Sequence, residues 1–153
     1  NGNARGTFTG LTLNNRFEDL VRSVFEGISF GLRDNVDRFE EIGMDCSNVR
    51  IVGGSTKSPF WCQMKADLLG KPMTATKSAE GAAIGAAMLA GVAEGNFSSL
   101  DEAAEAMVEL GATYEPDPAK KAAYDEAYAR YRECYKAMEP FFHQCYQDKE
   151  EQS

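Results

Sequence analysis

The sequence predicts an α/β fold that is rich in helix and has a small, truncated sheet. Three observations carry that expectation. Asn48-Val49-Arg50-Ile51-Val52 reads as a strand and stops at Gly53-Gly54. Ser58-Pro59, directly after that turn, is a good helix start, with a serine cap and proline at the first helical position. A short extended piece over 71–76 then leads into a helix of small apolar residues over 80–93. Strand, helix, strand, helix in that order belongs to an α/β layer. The strands are too few for a complete doubly wound sheet.

The remaining elements follow from periodicity. Residues 5–13 carry alternating β-formers (Thr7, Phe8, Thr9, Thr12) and predict a short strand or extended loop. From about Arg16 an amphipathic helix begins. Phe17, Leu20, Val21, Val24, Ile28, Leu32, Val36 and Phe39 recur at steps of three or four, with Glu18 and Asp19 in the first turn. Gly27 and Gly31 lie on one face of it. Glycine costs about 1 kcal/mol in a helix interior, so the pair predicts close approach of another backbone. The helix after Ser58 carries Phe60, Trp61, Met64, Leu68 and Leu69, and Gly70 closes it. Ser99 with Glu102 forms a capping-box pattern for a short helix that Gly111 is expected to end. Asp117-Pro118 starts the last helix, where Tyr124, Tyr128, Tyr131, Tyr135, Met138, Phe142 and Cys145 form one stripe. Pro140 is expected to kink or interrupt it near Glu139. Residues 148–153 read as a disordered, charged tail.

Composition narrows the function classes. A length of 153 residues fits one domain with a sizeable core. The net charge of −8 argues against nucleic acid or an acidic membrane as partner, since phosphate backbones demand clustered Lys and Arg. It leaves room for a single nucleotide, which backbone N–H groups, a helix N-terminus and a metal ion can hold. The apolar run from Ala82 to Val92 is too short to span a bilayer, and no signal peptide is visible. Cys46, Cys62, Cys134 and Cys145 show neither CxxC spacing nor partner histidines, as expected for reduced thiols in a cytoplasmic protein. The chain opens on Asn1, not on methionine, and the expectation is a piece of something longer.

The segment most able to carry chemistry is Arg50 to Pro59. A buried strand ending in two glycines lets a flat or anionic ligand approach the backbone, because no Cβ stands in the way. A helix N-terminus and the crevice beyond the strand's carboxyl end favour the same place. It is not a phosphate-binding P-loop, since no glycine precedes Lys57. On the residues alone, a tight strand-to-helix turn without a ligand is the first reading. The run Glu80-Gly81-Ala82-Ala83-Ile84-Gly85-Ala86-Ala87 reads first as a helix buried tightly against a sheet, and otherwise as one whose N-terminal end faces a neighbouring domain or a nucleotide. His143, the one histidine, lacks further ligands for a metal. The tyrosine stripe reads as packing, Glu40, Glu41 and Asp45 as a solvated face, and Asn96-Phe97-Ser98 as a glycosylation pattern without a secretion signal. No general base, nucleophile or Ser/His/Asp set appears.

The start of the chain adds a resemblance. Gly6-x-Phe8-x-Gly10-Leu11, seven residues, then Asp19-Leu20-x-x-Ser23-Val24-Phe25-Glu26 resembles the second signature of the FGGY carbohydrate kinases. Gly53-Gly54-Ser55-Thr56-Lys57-Ser58-Pro59-x-Trp61-x-Gln63-Met64-x-Ala66-Asp67 and the small-residue helix Gly81 to Gly91 are similar to that family's next segments. Residues 4–145 are covered, and the run Ala4 to Asp34 is most similar to the xylulokinases within the family.

The resemblance implies two RNase H-like lobes of the actin-like ATPase type, with ATP and sugar in the cleft between them. Residues 1–147 would be most of the C-terminal lobe. It implies that Gly53, Gly54, Ser55 and Ser58 line the adenine and ribose side of the ATP site. The catalytic aspartate, both phosphate loops and most of the sugar pocket would lie outside this chain, so no catalytic or metal-binding residue is assigned within it. ATP and Mg²⁺ are the implied cofactors, and transfer to a hydroxyl of D-xylulose the implied reaction. A gluconate, ribulose or glycerol kinase is the alternative within the family. A non-catalytic nucleotide-binding or interaction module, or a remnant without a ligand, is the alternative outside it. A lobe on its own would expose an apolar surface, which predicts homo-oligomers.

Overall fold

A computed structural model describes residues 2–150, those from 145 onward by their backbone alone. Helix α1 spans Phe17–Glu41. Its start is fixed by Asp19, whose carboxylate accepts the Arg16 N–H at 2.9 Å and, with Glu18, places negative charge on the first turn. Strand β1 (Val49–Ile51), helix α2 (Pro59–Leu69) and strand β2 (Met73–Thr76) form the strand–helix–strand unit that the sequence predicts. Ser58 Oγ caps α2 by accepting the Trp61 N–H at 3.3 Å, and Gly70 ends it in the left-handed region with φ 64°. Helices α3 (Gly81–Ala93) and α4 (Leu100–Met107), strand β3 (Leu110–Tyr114), a 3-10 turn (Pro118–Lys120) and helix α5 (Lys121–Glu150) complete the chain.

The sheet has three strands in the order β1-β2-β3. β1 pairs in parallel with β2, Val49 opposite Met73 and Ile51 opposite Ala75. β3 returns antiparallel to β2, Met73 opposite Tyr114, with an irregularity between Thr74 and Thr76. One core cluster joins α1, α2 and α5 through Phe30, Met64, Leu68, Tyr124 and Tyr128, with Phe25, Trp61 and Tyr131 packed against it. A second lies under the sheet, made by Ile51, Ala66, Met73 and Ala75. Complete burial of an aliphatic side chain such as Leu68 is worth about 1.5–3 kcal/mol.

Polar contacts fasten the same layer. Asp67, buried in α2, accepts from Lys120 Nζ at 2.7 Å, the Asp117 N–H at 2.9 Å and Gln63 Nε2 at 2.7 Å. The Tyr128 hydroxyl lies 2.6 Å from Asp34 and 2.9 Å from Asp37. Burial and these two carboxylates hold its phenol well above the ordinary range. The tyrosine stripe of α5 is therefore packing, as its spacing predicts. Glu40 and Glu41 are exposed and paired with Lys71 and Arg38.

Several expectations need correction. Residues 5–13 form an extended loop, one of the two forms expected of them, and join no strand of the sheet. Nothing lies within 4 Å of a Cβ built on Gly27, and Gly31 faces the Tyr131 hydroxyl at 3.9 Å, so no second backbone approaches this stretch of α1. Gly111 does not end α4, which stops at Met107; it lies inside β3, a strand that sequence periodicity does not reveal. A Cβ there would stand 3.2 Å from the Ala75 carbonyl oxygen, so glycine allows β3 to close on β2. Ser99 Oγ accepts the Glu102 N–H at 3.1 Å, but the Glu102 carboxylate turns to the N–H and hydroxyl of Ser98, giving half of a capping box. Pro140 does not interrupt α5, which continues through it to Glu150. The tail expected over 148–153 thus enters α5 as far as Glu150, and the rest of it lies outside the described residues.

Helix α3 is the largest departure. Expected to be buried against a sheet, it contains no buried residue, and Leu89 is 62% exposed. It packs on α4, leaving much of its small apolar surface open. Its composition suits burial on several sides, and only part of that cover is present here. Among the described residues no helix is long and apolar enough to cross a membrane.

Candidate functional site

The carboxyl ends of β1 and β2 point to the same edge because the strands are parallel. Beyond Ile51 the chain passes through Val52 and turns at Gly53, whose φ of 102° is a conformation L side chains rarely adopt. Thr56 closes the turn by donating both its N–H (3.1 Å) and its hydroxyl (2.9 Å) to the Gly53 carbonyl. Residues Gly54–Lys57 form a single 3-10 turn, and the Ser58 N–H donates to the Ser55 carbonyl at 3.2 Å. Gly54 is exposed, and a Cβ built on either glycine would meet nothing within 4 Å. Bare backbone therefore faces open space.

The four residues singled out from sequence, Gly53, Gly54, Ser55 and Ser58, lie together in this turn. Their roles differ. Gly53 supplies the backbone angle and Gly54 the open approach. Ser55 commits its carbonyl to the Ser58 N–H and to the Cys62 thiol, the latter at 3.5 Å. Ser58 commits its hydroxyl oxygen to the cap of α2, leaving the hydroxyl proton for a ligand. Burial pushes the Cys62 thiol up, which keeps it protonated and unreactive.

A second wall comes from the β2 exit. The Thr76 hydroxyl lies 2.7 Å from the Ser78 carbonyl and 3.4 Å from that of Ile51, and the Glu80 N–H donates to Ser78 Oγ at 3.1 Å. This short connection brings the first residue of α3, Gly81, against Val52 at the base of the turn. Thr76 and Ser78 escape sequence reasoning. The one signal available was a parallel strand ending in a hydroxyl residue beside the first.

The arrangement is suited to holding a ligand through backbone groups and hydroxyls. Among the described residues no group of three His, Cys, Asp or Glu side chains comes together to hold a metal ion, and His143 instead contacts Asn3 at 3.1 Å. A cavity of about 750 Å³ lies elsewhere, between residues 4–11, α1 and α5. Phe8, Leu11, Val24, Tyr131 and Met138 are among its lining, which is mainly apolar.

The C-terminal domain of the FGGY family of carbohydrate kinases matches residues 1–94. A xylulose kinase of Staphylococcus epidermidis is 31% identical over 132 residues, covering 86% of this chain and 27% of that protein. An erythritol kinase of Brucella abortus is 36% identical over 142 residues, covering 92% of this chain and 27% of its own length. The crystal structure of xylulose kinase from Rhodospirillum rubrum superposes with a TM-score of 0.79 at 34% identity, covering 92% of this chain and 28% of that one. The chain thus spans about a quarter of the length of the curated relatives it matches.

Proposed function

The chain belongs to the FGGY family of carbohydrate kinases, and on that premise we propose that it forms the adenine and ribose side of a sugar kinase's ATP site. One observation carries the reading. The Gly53–Ser58 turn presents bare backbone at the carboxyl ends of two parallel strands, with open space where side chains would stand. That edge is where open α/β sheets bind ligands. An adenosine moiety fits such a cradle, since a planar ring needs close backbone approach and few charges. Gly53 and Gly54 give the approach; Ser55 and Ser58 flank it.

Phosphoryl transfer also requires a base for the sugar hydroxyl and Mg²⁺ at the phosphates. We place both requirements in the remainder of the kinase, so this chain alone is expected to be inactive. The sugar we propose is D-xylulose, supported by the xylulose kinases at 31% and 34% identity. The erythritol kinase at 36% identity supports a competing substrate, and the sugar profile of the kinase decides between them.

Gly54→Val tests the reading. Gly54 keeps an ordinary backbone angle in open space, so valine leaves the fold intact and fills only the approach; Gly53→Val would add strain and blur the result. Calorimetric titration with Mg-ADP is expected to show saturable binding that Gly54→Val weakens at least about tenfold at unchanged melting temperature. In a kinase containing this chain, the KM for ATP rises and that for sugar does not. Equal nucleotide affinity in both forms would reject the assignment.

A further inference from the structure

We propose that Gly81 is a positioning residue for the nucleotide site, setting the distance between α3 and the Gly53–Gly54 turn through its contact with Val52; this inference rests on the nucleotide reading above. The contact is tight. A Cβ built on Gly81 would stand 2.6 Å and 3.0 Å from the two methyl carbons of Val52 and 3.4 Å from its Cβ. Real Cβ atoms essentially never come within 3.0 Å of another heavy atom. Rotation of Val52 does not clear the space, because a β-branched side chain turns at least one methyl toward Gly81 in every staggered rotamer. A rotation that removes the closer methyl still leaves a contact near 3.0 Å, so a side chain at 81 presses the start of α3 and the half-exposed Val52 apart by a few tenths of an ångström.

Three further observations make that displacement matter. First, Val52 immediately precedes Gly53, so the contact lies at the base of the proposed adenine cradle. Second, α3 has no buried residue and packs on α4, which leaves little else to fix where its first turn sits against the sheet. The Thr76–Ser78 and Ser78–Glu80 hydrogen bonds hold the connection between β2 and α3. Third, glycine is among the poorest helix formers, and alanine would favour α3 as a helix. Local propensity thus gives no reason for glycine at this position, whereas close packing on Val52 does. By contrast, Gly85 in the same helix has nothing within 4 Å.

The test is a compensated pair. Gly81→Ala is expected to weaken Mg-ADP binding about tenfold. In the kinase containing this chain it raises the KM for ATP while the KM for sugar and the melting temperature stay close to wild type. Val52→Ala removes the two methyls and leaves a Cβ at about 3.4 Å, an ordinary contact. The Gly81→Ala/Val52→Ala double variant is therefore expected to regain the affinity of Val52→Ala alone. Recovery of this kind is what a spacing role requires and general destabilisation would not give. Unchanged affinity in Gly81→Ala, or a loss that Val52→Ala fails to reverse, overturns the inference while leaving the adenine-side reading intact. Binding that is indifferent to Gly54→Val removes that reading and this inference together.

Discussion

The layer made by α1, α2 and α5 and the pair α3–α4 are both helical, yet they are built on opposite plans. In the first, large side chains interlock: Phe30 stands 5.8 Å from Tyr128 and 5.3 Å from Tyr131, and Phe25 lies edge-on to Trp61 at 5.0 Å. In the second, α3 offers alanine and glycine, and Ala103 is the buried member of α4. The first layer carries its own stability. The second borders the proposed site and leaves its surface for something else. Placement of a ligand edge beside the less packed pair is consistent with sites that adjust on binding.

Truncation of one leucine on each side puts this contrast on a common scale. Leu68 is 1% exposed at the centre of the first cluster, so Leu68→Ala is expected to cost about 3–5 kcal/mol through lost burial and the cavity left behind. Leu89 is 62% exposed, and Leu89→Ala should fall within about 0.5 kcal/mol of wild type. Urea unfolding at equal protein concentration measures both. Similar losses at the two positions would mean that α3–α4 is integrated into the same cooperative core, and the comparison would fail.

Asp67 tests whether polar contacts sharpen the division. Burial pushes its carboxyl up, but the bonds from Lys120, the Asp117 N–H and Gln63 together outweigh that and hold it below the usual range. A carboxyl depressed in the fold adds stability that is complete above its unfolded value, near pH 4, and is lost as pH falls through the lower folded value. In Asp67→Asn an amide N–H₂ must face one of these donors. The expected cost at pH 7 is about 1.5–3 kcal/mol. The gap between the two proteins should narrow below pH 4, and a gap constant from pH 7 to pH 3 would show that the carboxylate charge is not what holds the β3–α5 connection to α2.

Much of this division could be read before any coordinates. The three-and-four spacing of α1, the Ser58-Pro59 start and Gly70 stop of α2, and the tyrosine stripe of α5 are local signals that tertiary packing then confirms. The turn Gly53–Ser58 was legible because positive φ and close approach both demand glycine. β3 was not, since Leu110, Gly111, Ala112 and Thr113 are all exposed and show no alternation, their strand state being imposed by pairing with β2. The exposure of α3 was hidden for a related reason: composition reports what a helix can bury, not whether a partner is at hand. Gly27 and Gly31 misled because two glycines on one face mark available room, and here Gly27 borders the cavity between α1 and α5.

The smallest expected effect has the opposite sign. Lys65 is 5% exposed within the well-packed layer, its ammonium 4.1 Å above the Trp61 ring and, among the described residues, without a carboxylate partner. Burial lowers its pKa, so below that value the fold bears the cost of a desolvated charge, and the cost disappears as pH rises past the unfolded value near 10.4. Methionine matches the length of the lysine stem and keeps contact with Trp61 through its sulfur. Lys65→Met forgoes a cation–π contact of about 0.5–2 kcal/mol and removes the desolvation cost. The net expectation is a gain of up to about 1 kcal/mol at pH 7 that shrinks toward zero above pH 10. Since Trp61 Nε1 donates to the buried Ser29 hydroxyl at 3.1 Å, the ring holds its place without the lysine. A clear loss of stability in Lys65→Met at pH 7 would mean that the charge itself stabilises the α1–α2 contact, and the aromatic layer would then depend on electrostatics as well as on packing.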